Sequence, residues 1–319
     1  AKYGDQLSKI AEDNKVNLEF EAAVCGGVPI IRSLKEGLIA NKIEKVYGIF
    51  NGTSNYILST MDKLDKNFND VLLDAKKLGY AESNPSSDLN GNDVAAKLKI
   101  LSSLCFNSFI NKNIHIEGIK DIEKVDIDNA NELGYKIKLL GFSEIIDKKI
   151  YQRVHPTMIK SSSYIASIEG VLNAVIVEGK PVGQSVIQGE GAGAEATTSA
   201  LISDISSILR GNVKFPFSIS NKERKKLIYK NIDDRLFSAY LRFEVLDRPG
   251  ILSNITKIFS NNKVSIKRLI QKPYKLKKFS SIVIVTHNSQ NKYLNKIIKQ
   301  TENKNYIVQK PKLIRIDNN

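Results

Sequence analysis

Residues 79–97, with the sequence GYAESNPSSDLNGNDVAAK, form the segment of the chain that is most informative about acid–base chemistry. This polar stretch carries Glu82, Asp88, Asp93 and Lys97, and it leads into an otherwise apolar helical pattern. Asp93 and Lys97 are four residues apart, so a helix would place them on one face, where they can pair. A nearby carboxylate keeps a lysine charged while partial burial lowers its pKa, and such a lysine can donate a proton to a developing alkoxide. The alternative is an ordinary ion pair on an exposed helix.

A second candidate site is the segment FEAAVCGGVP at residues 20–29. Its two adjacent glycines follow an expected strand and would let the backbone approach a ligand closely. Glu21, together with nearby backbone carbonyl groups, could hold a hard monovalent cation, because such ions prefer oxygen ligands. The alternative is a plain strand-to-helix turn.

A third candidate is the loop GEGAG at residues 189–193, which precedes an expected helix. A glycine-rich loop at a helix N-terminus can bind an anionic group. The spacing is not that of the G-x-G-x-x-G dinucleotide fingerprint, so this loop alone is an unspecific signal.

Other common site chemistries have no signature in the chain. Its three histidines are scattered without the spacing of a zinc site, and no G-x-S-x-G motif of a serine hydrolase occurs. Cys25 and Cys105 both lie among apolar residues, which predicts buried thiols in a reducing cytoplasm and no disulfide.

Composition predicts an ordinary globular protein of two or three domains, with 42% hydrophobic and 26% charged residues in a chain of 319. The net charge of +14 raises the question of nucleic acid. The lysines, however, are spread along the chain without an RNA-binding motif, so we predict no nucleic-acid partner. No apolar run approaches the ~20 residues that span a bilayer, and no signal peptide is evident, so we predict no membrane partner and a cytoplasmic location.

Hydrophobic periodicity divides the chain into three structural regions. A helix at 2–13 and a strand at 17–24 resemble the last αβ unit of a longer parallel sheet, which would need neighbours upstream. The middle region mixes helices with consecutive strands, which predicts an α+β domain with a largely antiparallel sheet. The C-terminal region predicts a ferredoxin-like βαββαβ unit. The middle elements are helices at 29–38, 68–78, 88–106 and 194–209, and strands at 42–50, 136–143, 149–159, 171–178 and 182–188.

Several linked motifs resemble those of the homoserine dehydrogenases, in the same order and over roughly the first 210 residues. The C-terminal stretch LDRPGILSNITKIF, at 246–259, resembles an ACT domain, the amino-acid-sensing module of many biosynthetic enzymes. The motifs are FEAAV-x-GG-x-P at 20–29, GIFNGTSNYIL at 48–58, LGYAE-x-x-P-x-x-D-x-x-G-x-D-x-x-x-K at 78–97, VHPT at 154–157 and GEGAG-x-x-x-T at 189–197.

The resemblance implies reversible, nicotinamide-dependent reduction of L-aspartate 4-semialdehyde to L-homoserine, on the route to threonine, isoleucine and methionine. It gives Lys97 the role of proton donor to the carbonyl oxygen. Glu82 would hold the substrate's ammonium group, and Asp93 would bind substrate and orient Lys97. Asp88 would support this polar pocket, with Thr53 nearby.

The resemblance also implies two ligands besides the substrate. Gly193 would contact the NAD(P) cofactor, although Glu190 replaces the more usual small residue in that loop. Glu21, with the backbone of Val24, Gly26 and Val28, would match the family's sodium site.

The implied fold class is α/β plus α+β. Its parts are a remnant of a Rossmann dinucleotide-binding domain at 1–27, a mixed or antiparallel-sheet catalytic and dimerisation domain at 28–211, a linker at 212–236, and a ferredoxin-like βαββαβ ACT domain at 237–316. The last helix of the catalytic domain would return to the nucleotide domain. A homodimer or higher oligomer through the central sheet is implied, with threonine as effector between paired ACT modules near 247–251.

The chain departs from the family pattern at its start. The family's Rossmann fingerprint and second active-site lysine precede the first residues here, so this polypeptide alone is expected to be inactive or nearly so. The alternative function is a non-catalytic, amino-acid-binding regulatory subunit. The intact set of Glu82, Asp93 and Lys97 favours the enzyme.

Overall fold

The computed structural model describes residues 1–109, 114–211, 215–273 and 279–317. The chain forms two compact units: one of Ala1–Asn129, Ile137–Pro156 and Ser162–Lys230, and one of Ala130–Lys136, Thr157–Ser161 and Asn231–Asn319. The helices are α1 (Gly4–Asp13), α2 (Ile30–Arg32), α3 (Gly52–Leu64), α4 (Phe68–Lys77), α5 (Ser86–Leu89), α6 (Asn92–Phe106), α7 (Lys124–Glu132), α8 (Ala194–Leu209), α9 (Ile251–Asn261) and α10 (Asn291–Thr301). The strands are β1 (Lys42–Ile49), β2 (His115–Ile116), β3 (Tyr135–Ile146), β4 (Lys149–Lys160), β5 (Leu172–Lys180), β6 (Gly183–Glu190), β7 (Ile228–Lys230), β8 (Leu236–Leu246), β9 (Ile266–Pro273), β10 (Phe279–Thr286), β11 (Ser289–Gln290) and β12 (Ile307–Asp317).

The first unit is built on a mixed sheet in which the strand order is β6-β5-β1-β3-β4. Strand β1 pairs antiparallel with both β3 and β5, and β5 pairs antiparallel with β6. The short strands β2 and β7 add parallel pairs to β4. Helix α6 packs against β1 and helix α3 packs against β5. The predicted, largely antiparallel sheet is therefore confirmed.

Helices α3 and α6 begin and end at residues with clear local reasons. The Asn51 side chain caps α3 by accepting a hydrogen bond of 2.8 Å from the Ser54 amide. Helix α6 starts after Gly91, whose φ of +80° favours glycine, and ends at Asn107 in the left-handed region. Its apolar face is fully buried, so packing fixes the rotation of this helix about its axis.

The strand expected at 17–24 is not formed. Residues 15–20 make no ladder in the described part of the chain, and Glu21–Ala23 forms a single 3-10 turn. A strand requires backbone partners, and none of the described segments pairs with this stretch, although its sequence alternates. Instead the Phe20 ring packs on Phe217, with ring centroids 5.1 Å apart. The helix expected just before it is confirmed as α1.

Part of the expected linker at 212–236 is packed on the first unit. The Phe217 ring is buried and lies 4.8 Å from the Phe109 ring, centroid to centroid. The Arg224 guanidinium stacks 3.9 Å from the centroid of Phe109, and β7 joins strand β4. Aromatic and cation–π packing thus holds a basic segment whose composition had indicated a solvated connection.

The second unit contains β8, α9, β9, β10, α10 and β12 in chain order, with the short β11 added before α10. Its strands lie in the order β12-β8-β10-β9, and every one of these pairs is antiparallel. The two helices cover one face of this sheet and form an apolar core that includes Phe243, Phe259 and Leu294. The predicted ferredoxin-like βαββαβ unit is confirmed.

Two further expectations concern the thiols and the membrane. Cys25 and Cys105 are both free and buried, as predicted. In the described ranges, none of the helices has the length and apolar character needed to cross a membrane.

Candidate active site

The candidate site lies at the C-terminal end of strand β1, next to the residue that caps helix α3. Phe50 and Asn51 follow β1 directly, and helix α6, which packs on β1, brings Asp93 and Lys97 to the same place. Helix α5, one turn before α6, supplies Asp88.

The Lys97 ammonium is held by two fixed acceptors. Its Nζ lies 2.8 Å from Asp93 Oδ2 and donates a hydrogen bond of 2.9 Å to the Phe50 carbonyl oxygen. Only 19% of the Lys97 side chain is exposed, against 26% of Asp93. The predicted pairing is therefore confirmed, and its partial burial separates it from an ordinary surface ion pair. An ammonium has three N–H donors, so one remains for a third acceptor.

Asn51 joins the two acidic residues of the site, a role that the sequence reasoning missed. Its Nδ2 donates hydrogen bonds of 2.8 Å to Asp88 Oδ1 and 2.9 Å to Asp93 Oδ2. The sequence indicated only a capping turn here. The one available signal was an amide side chain, with two donors and one acceptor, directly after a buried strand.

The electrostatics of this cluster are those of two carboxylates that share one ammonium. Burial raises the pKa of Asp88 above its ordinary value, and the negative charge of Asp93 raises it further. The hydrogen bond from Asn51 and the charge of Lys97 oppose that rise in the pKa. With both carboxylates ionised, the cluster keeps one negative charge in excess, which favours a cationic group at its open side.

Thr53 and Glu82 lie at the margin of the cluster. Thr53 Oγ1 donates a hydrogen bond of 2.6 Å to the carbonyl oxygen of Tyr80, two residues before Glu82. Glu82 is exposed, and its carboxylate has no hydrogen-bonding partner among the residues that the structure describes. The structure thus brings Asp88, Asp93 and Lys97 together with Thr53 beside them, whereas Glu82 lies outside the bonded set.

Glu21 is buried and caps helix α2. Its Oε1 and Oε2 accept hydrogen bonds of 2.8 Å from the amides of Ile31 and Arg32, and its own amide donates to Asp204 Oδ2 at 2.9 Å. Burial raises the pKa of Glu21, and the two amide donors oppose that rise. No group of three or more acidic, histidine or cysteine side chains in the described ranges is arranged to hold a metal ion.

The turn that contains Val24, Gly26 and Val28 packs on the glycine-rich loop. Both valines are fully buried, and Gly26 has a φ of +44°. A Cβ atom on Gly26 would come within 2.7 Å of the Gly191 carbonyl oxygen, so the two backbones touch without side chains between them.

The glycine-rich loop has open space beside its last residue, Gly193. Gly193 precedes helix α8 with a φ of +117°, and a Cβ atom placed there would meet no heavy atom within 4 Å. Beneath the loop, the Asn173 amide is fully buried, faces the Cys25 thiol and has no nitrogen or oxygen partner in the described residues. Open space above a helix N-terminus fits an anionic or polar ligand group there.

Comparison with known proteins agrees with this site. Residues 29–206 match the family model described as homoserine dehydrogenase, and residues 241–309 match an AHAS small subunit-like ACT domain. The homoserine dehydrogenase of Helicobacter pylori is 41% identical over 314 residues, which cover 98% of this chain and 74% of that protein. A crystal structure of a homoserine dehydrogenase from Thiobacillus denitrificans superposes with a TM-score of 0.91 at 38% identity, covering 99% of this chain and 74% of the other.

A more distant solved structure is that of a hyperthermophilic archaeal homoserine dehydrogenase mutant in complex with NADPH. It has a TM-score of 0.56 and 27% identity, and covers 66% of this chain and 60% of that one. The fold, the motifs and these matches agree throughout. The chain belongs to the homoserine dehydrogenase family, the NAD(P)-dependent oxidoreductases that interconvert L-homoserine and L-aspartate 4-semialdehyde.

Proposed function

We propose that Lys97 donates the proton to the carbonyl oxygen of L-aspartate 4-semialdehyde. NAD(P)H, when bound, supplies the hydride to the carbonyl carbon. The observation that carries the proposal is the Lys97 ammonium, half-buried and fixed by Asp93 and the Phe50 carbonyl, with one N–H left over. As the C=O double bond becomes a C–O single bond, the developing alkoxide takes that proton.

The acidic residues are proposed to bind and orient the amino-acid substrate. Asp93 would contact the substrate and hold Lys97, and Asp88 would keep the pocket polar, with Thr53 beside it. The excess negative charge of the cluster supports binding of the substrate's ammonium. Glu82 is proposed to take that ammonium, since its carboxylate is exposed and engages no other group of the described chain.

The test of the proton donor is Lys97→Met in the complete enzyme, with Lys99→Met as the matched control on the same helix. Loss of a general acid typically costs 10²–10⁴-fold, so we expect kcat to fall by about that factor while KM changes little. Lys99 lies about 200° further around α6, so its replacement should leave kcat within about twofold. Equal effects of the two substitutions, or near-normal turnover without Lys97, would refute the assignment.

The cofactor is assigned to the glycine-rich loop at 189–193, and the cation to the turn at 24–28 that packs on this loop. Gly193 is proposed to contact NAD(P), and the open space over its Cα supports this. A sodium ion is proposed at Glu21 with the backbone of Val24, Gly26 and Val28. Burial raises the pKa values of both Glu21 and Asp204. A bound cation would offset the cost of two buried carboxylates in contact with one backbone turn.

The remaining assignments concern domains and partners. Residues 1–27 are proposed to be the C-terminal remnant of a dinucleotide-binding domain, and helix α8 is proposed to return to that domain. Exposed apolar side chains on α8 support this, because such a face is normally covered. They are Leu201, Ile202, Ile205, Ile208 and Leu209. Residues 237–316 are proposed to bind threonine near 247–251, in a cytoplasmic homodimer or higher oligomer.

A further inference from the structure

We propose that Asn51 is a positioning residue that holds the carboxylates of Asp88 and Asp93 together and thereby aims Lys97. The inference rests on the proposed role of Lys97 as proton donor. It goes beyond that role because Asn51 touches neither the reacting carbonyl nor the cofactor in the assignment above.

The Asn51 amide is buried and uses both of its donors. The residue is only 5% exposed, and three of its four hydrogen-bonding positions are occupied. Its Oδ1 accepts from the Ser54 amide, and its two N–H groups go to Asp88 Oδ1 and Asp93 Oδ2. Asp93 Oδ2 also receives Lys97, so this oxygen has one bond that fixes the carboxylate and one that fixes the amine.

The residue type at position 51 fits this role better than that of a helix cap alone. Serine and aspartate cap helices about as well as asparagine does, so capping alone does not require an amide. Of these three, only asparagine offers an acceptor to the helix and two donors to the carboxylates at once. The bonds to Asp88 and Asp93 join residues 37 and 42 positions away along the chain, so they tie the start of α3 to α5 and α6.

The amide of Asn51 also opposes the electrostatic repulsion between the two carboxylates. The charged and polar groups around the pair are Asp88 from α5, Asp93 and Lys97 from α6, Thr53 from α3, and the Cys25 thiol of the neighbouring turn. Burial and the like charge of Asp93 already raise the pKa of Asp88. Without the amide donor less would oppose that rise, so the pKa of Asp88 would climb further. The Asp93 carboxylate would also lose the bond that fixes its orientation, so it would no longer hold the Lys97 ammonium in one place.

The test uses Asn51→Asp, which keeps the size and the capping oxygen but replaces the donating NH2 by an acceptor. We expect kcat in the complete enzyme to fall by about tenfold or more at pH 8. The acid limb of the profile of kcat/KM against pH should shift to higher pH by about one unit or more. The reason is that the new carboxylate at position 51 would lie beside those of Asp88 and Asp93. Asn51→Ser keeps a cap but loses both bonds, and should move the limb in the same direction by less.

The matched control is Asn55→Asp, the same change one turn further along α3. Asn55 is buried and bonds to the carbonyls of Ile168 and Leu172, away from the acidic pair. It should alter the melting temperature without moving the acid limb. If Asn51→Asp leaves the limb where it is in the wild type, or if both variants change only the melting temperature, the inference is wrong. Turnover by Lys97→Met near the wild-type rate would instead overturn the proposed proton donor, which separates the two failures.

Discussion

The phenyl ring of Phe50 lies directly over Gly141 of strand β3. A Cβ atom on Gly141 would come within 2.8 Å of the ring, and one on Gly48 would come equally close. These two glycines face each other across the β1–β3 ladder. The carbonyl of Phe50 accepts the hydrogen bond from Lys97, so the glycine pair allows the ring position that places this acceptor.

Gly141→Ala is therefore expected to reduce turnover without touching the substrate. The Phe50 ring is fully buried and cannot swing away, and overpacking of this kind typically costs about 1–3 kcal/mol. We expect a lower melting temperature together with a lower kcat, and partial recovery of both in Gly141→Ala/Phe50→Leu. Gly37→Ala is the control, because a Cβ atom there meets nothing within 4 Å. Failure of the smaller side chain at position 50 to restore either quantity would argue against the steric account.

Sequence reasoning found the local part of the site and missed the part that depends on distant packing. The Asp93–Lys97 pair follows from helical spacing alone, and it formed as predicted. The Asn51 bridge could not be found this way, because it exists only once α6 has packed on β1. The strand expected at 17–24 failed for a related reason, since alternation of apolar residues predicts a strand only where a partner supplies hydrogen bonds. The βαββαβ unit was predictable because its elements are sequential and short-linked.

The Cys25 thiol is expected to be unreactive in the native protein. Burial raises its pKa to about 11, against the opposing charge of Lys97, and burial also raises the pKa of Cys105. At pH 8 only about one Cys25 in a thousand would be a thiolate, which is the reactive form. In a Cys105→Ala background, iodoacetamide should label Cys25 very slowly until denaturant is added, and rapidly afterwards. Fast labelling of the native protein would mean that the turn beneath the glycine-rich loop opens readily.

Gly193→Ala is expected to weaken NADPH binding. The added methyl group would enter the open space above the loop, and the φ of +117° would be strained. Gly183→Ala is the matched control, because Gly183 also has a positive φ and open surroundings. Fluorescence titration should give a Kd for NADPH raised about tenfold or more for Gly193→Ala only. The same increase in both variants would point to strain in the domain and not to a cofactor contact.

The C-terminal unit is expected to bind L-threonine through the loop before α9. Asp247 is exposed in this loop, and Gly250, with a φ of +85°, starts the helix. Calorimetry should detect heat with L-threonine and none with D-threonine. Asp247→Asn should weaken binding about tenfold if the carboxylate holds the ligand's ammonium. If the wild type gave identical titrations with both enantiomers, the proposal of a threonine effector site would be wrong.

Glu21→Gln is expected to destabilise the first unit and to abolish a stabilising effect of sodium. One of the two oxygens that accept amide hydrogens from Ile31 and Arg32 would become an NH2 group, at a cost of about 1–3 kcal/mol. The pKa of Glu21 is raised in the folded state, so the native state binds more protons than the unfolded state between the two pKa values. The wild type should therefore lose stability as the pH rises through this window, and Glu21→Gln should lack that slope.

A cation at this turn would offset the cost of the ionised carboxylate, so sodium should raise the melting temperature of the wild type more at pH 7 than at pH 4. Potassium chloride at the same ionic strength controls for screening, and Glu195→Gln, an exposed carboxylate at the start of α8, controls for the loss of one charge. A sodium-specific increase that persists in Glu21→Gln would move the cation away from this carboxylate. Equal increases with both salts, at both pH values, would mean that the turn holds no specific ion and that Glu21 serves only to cap α2.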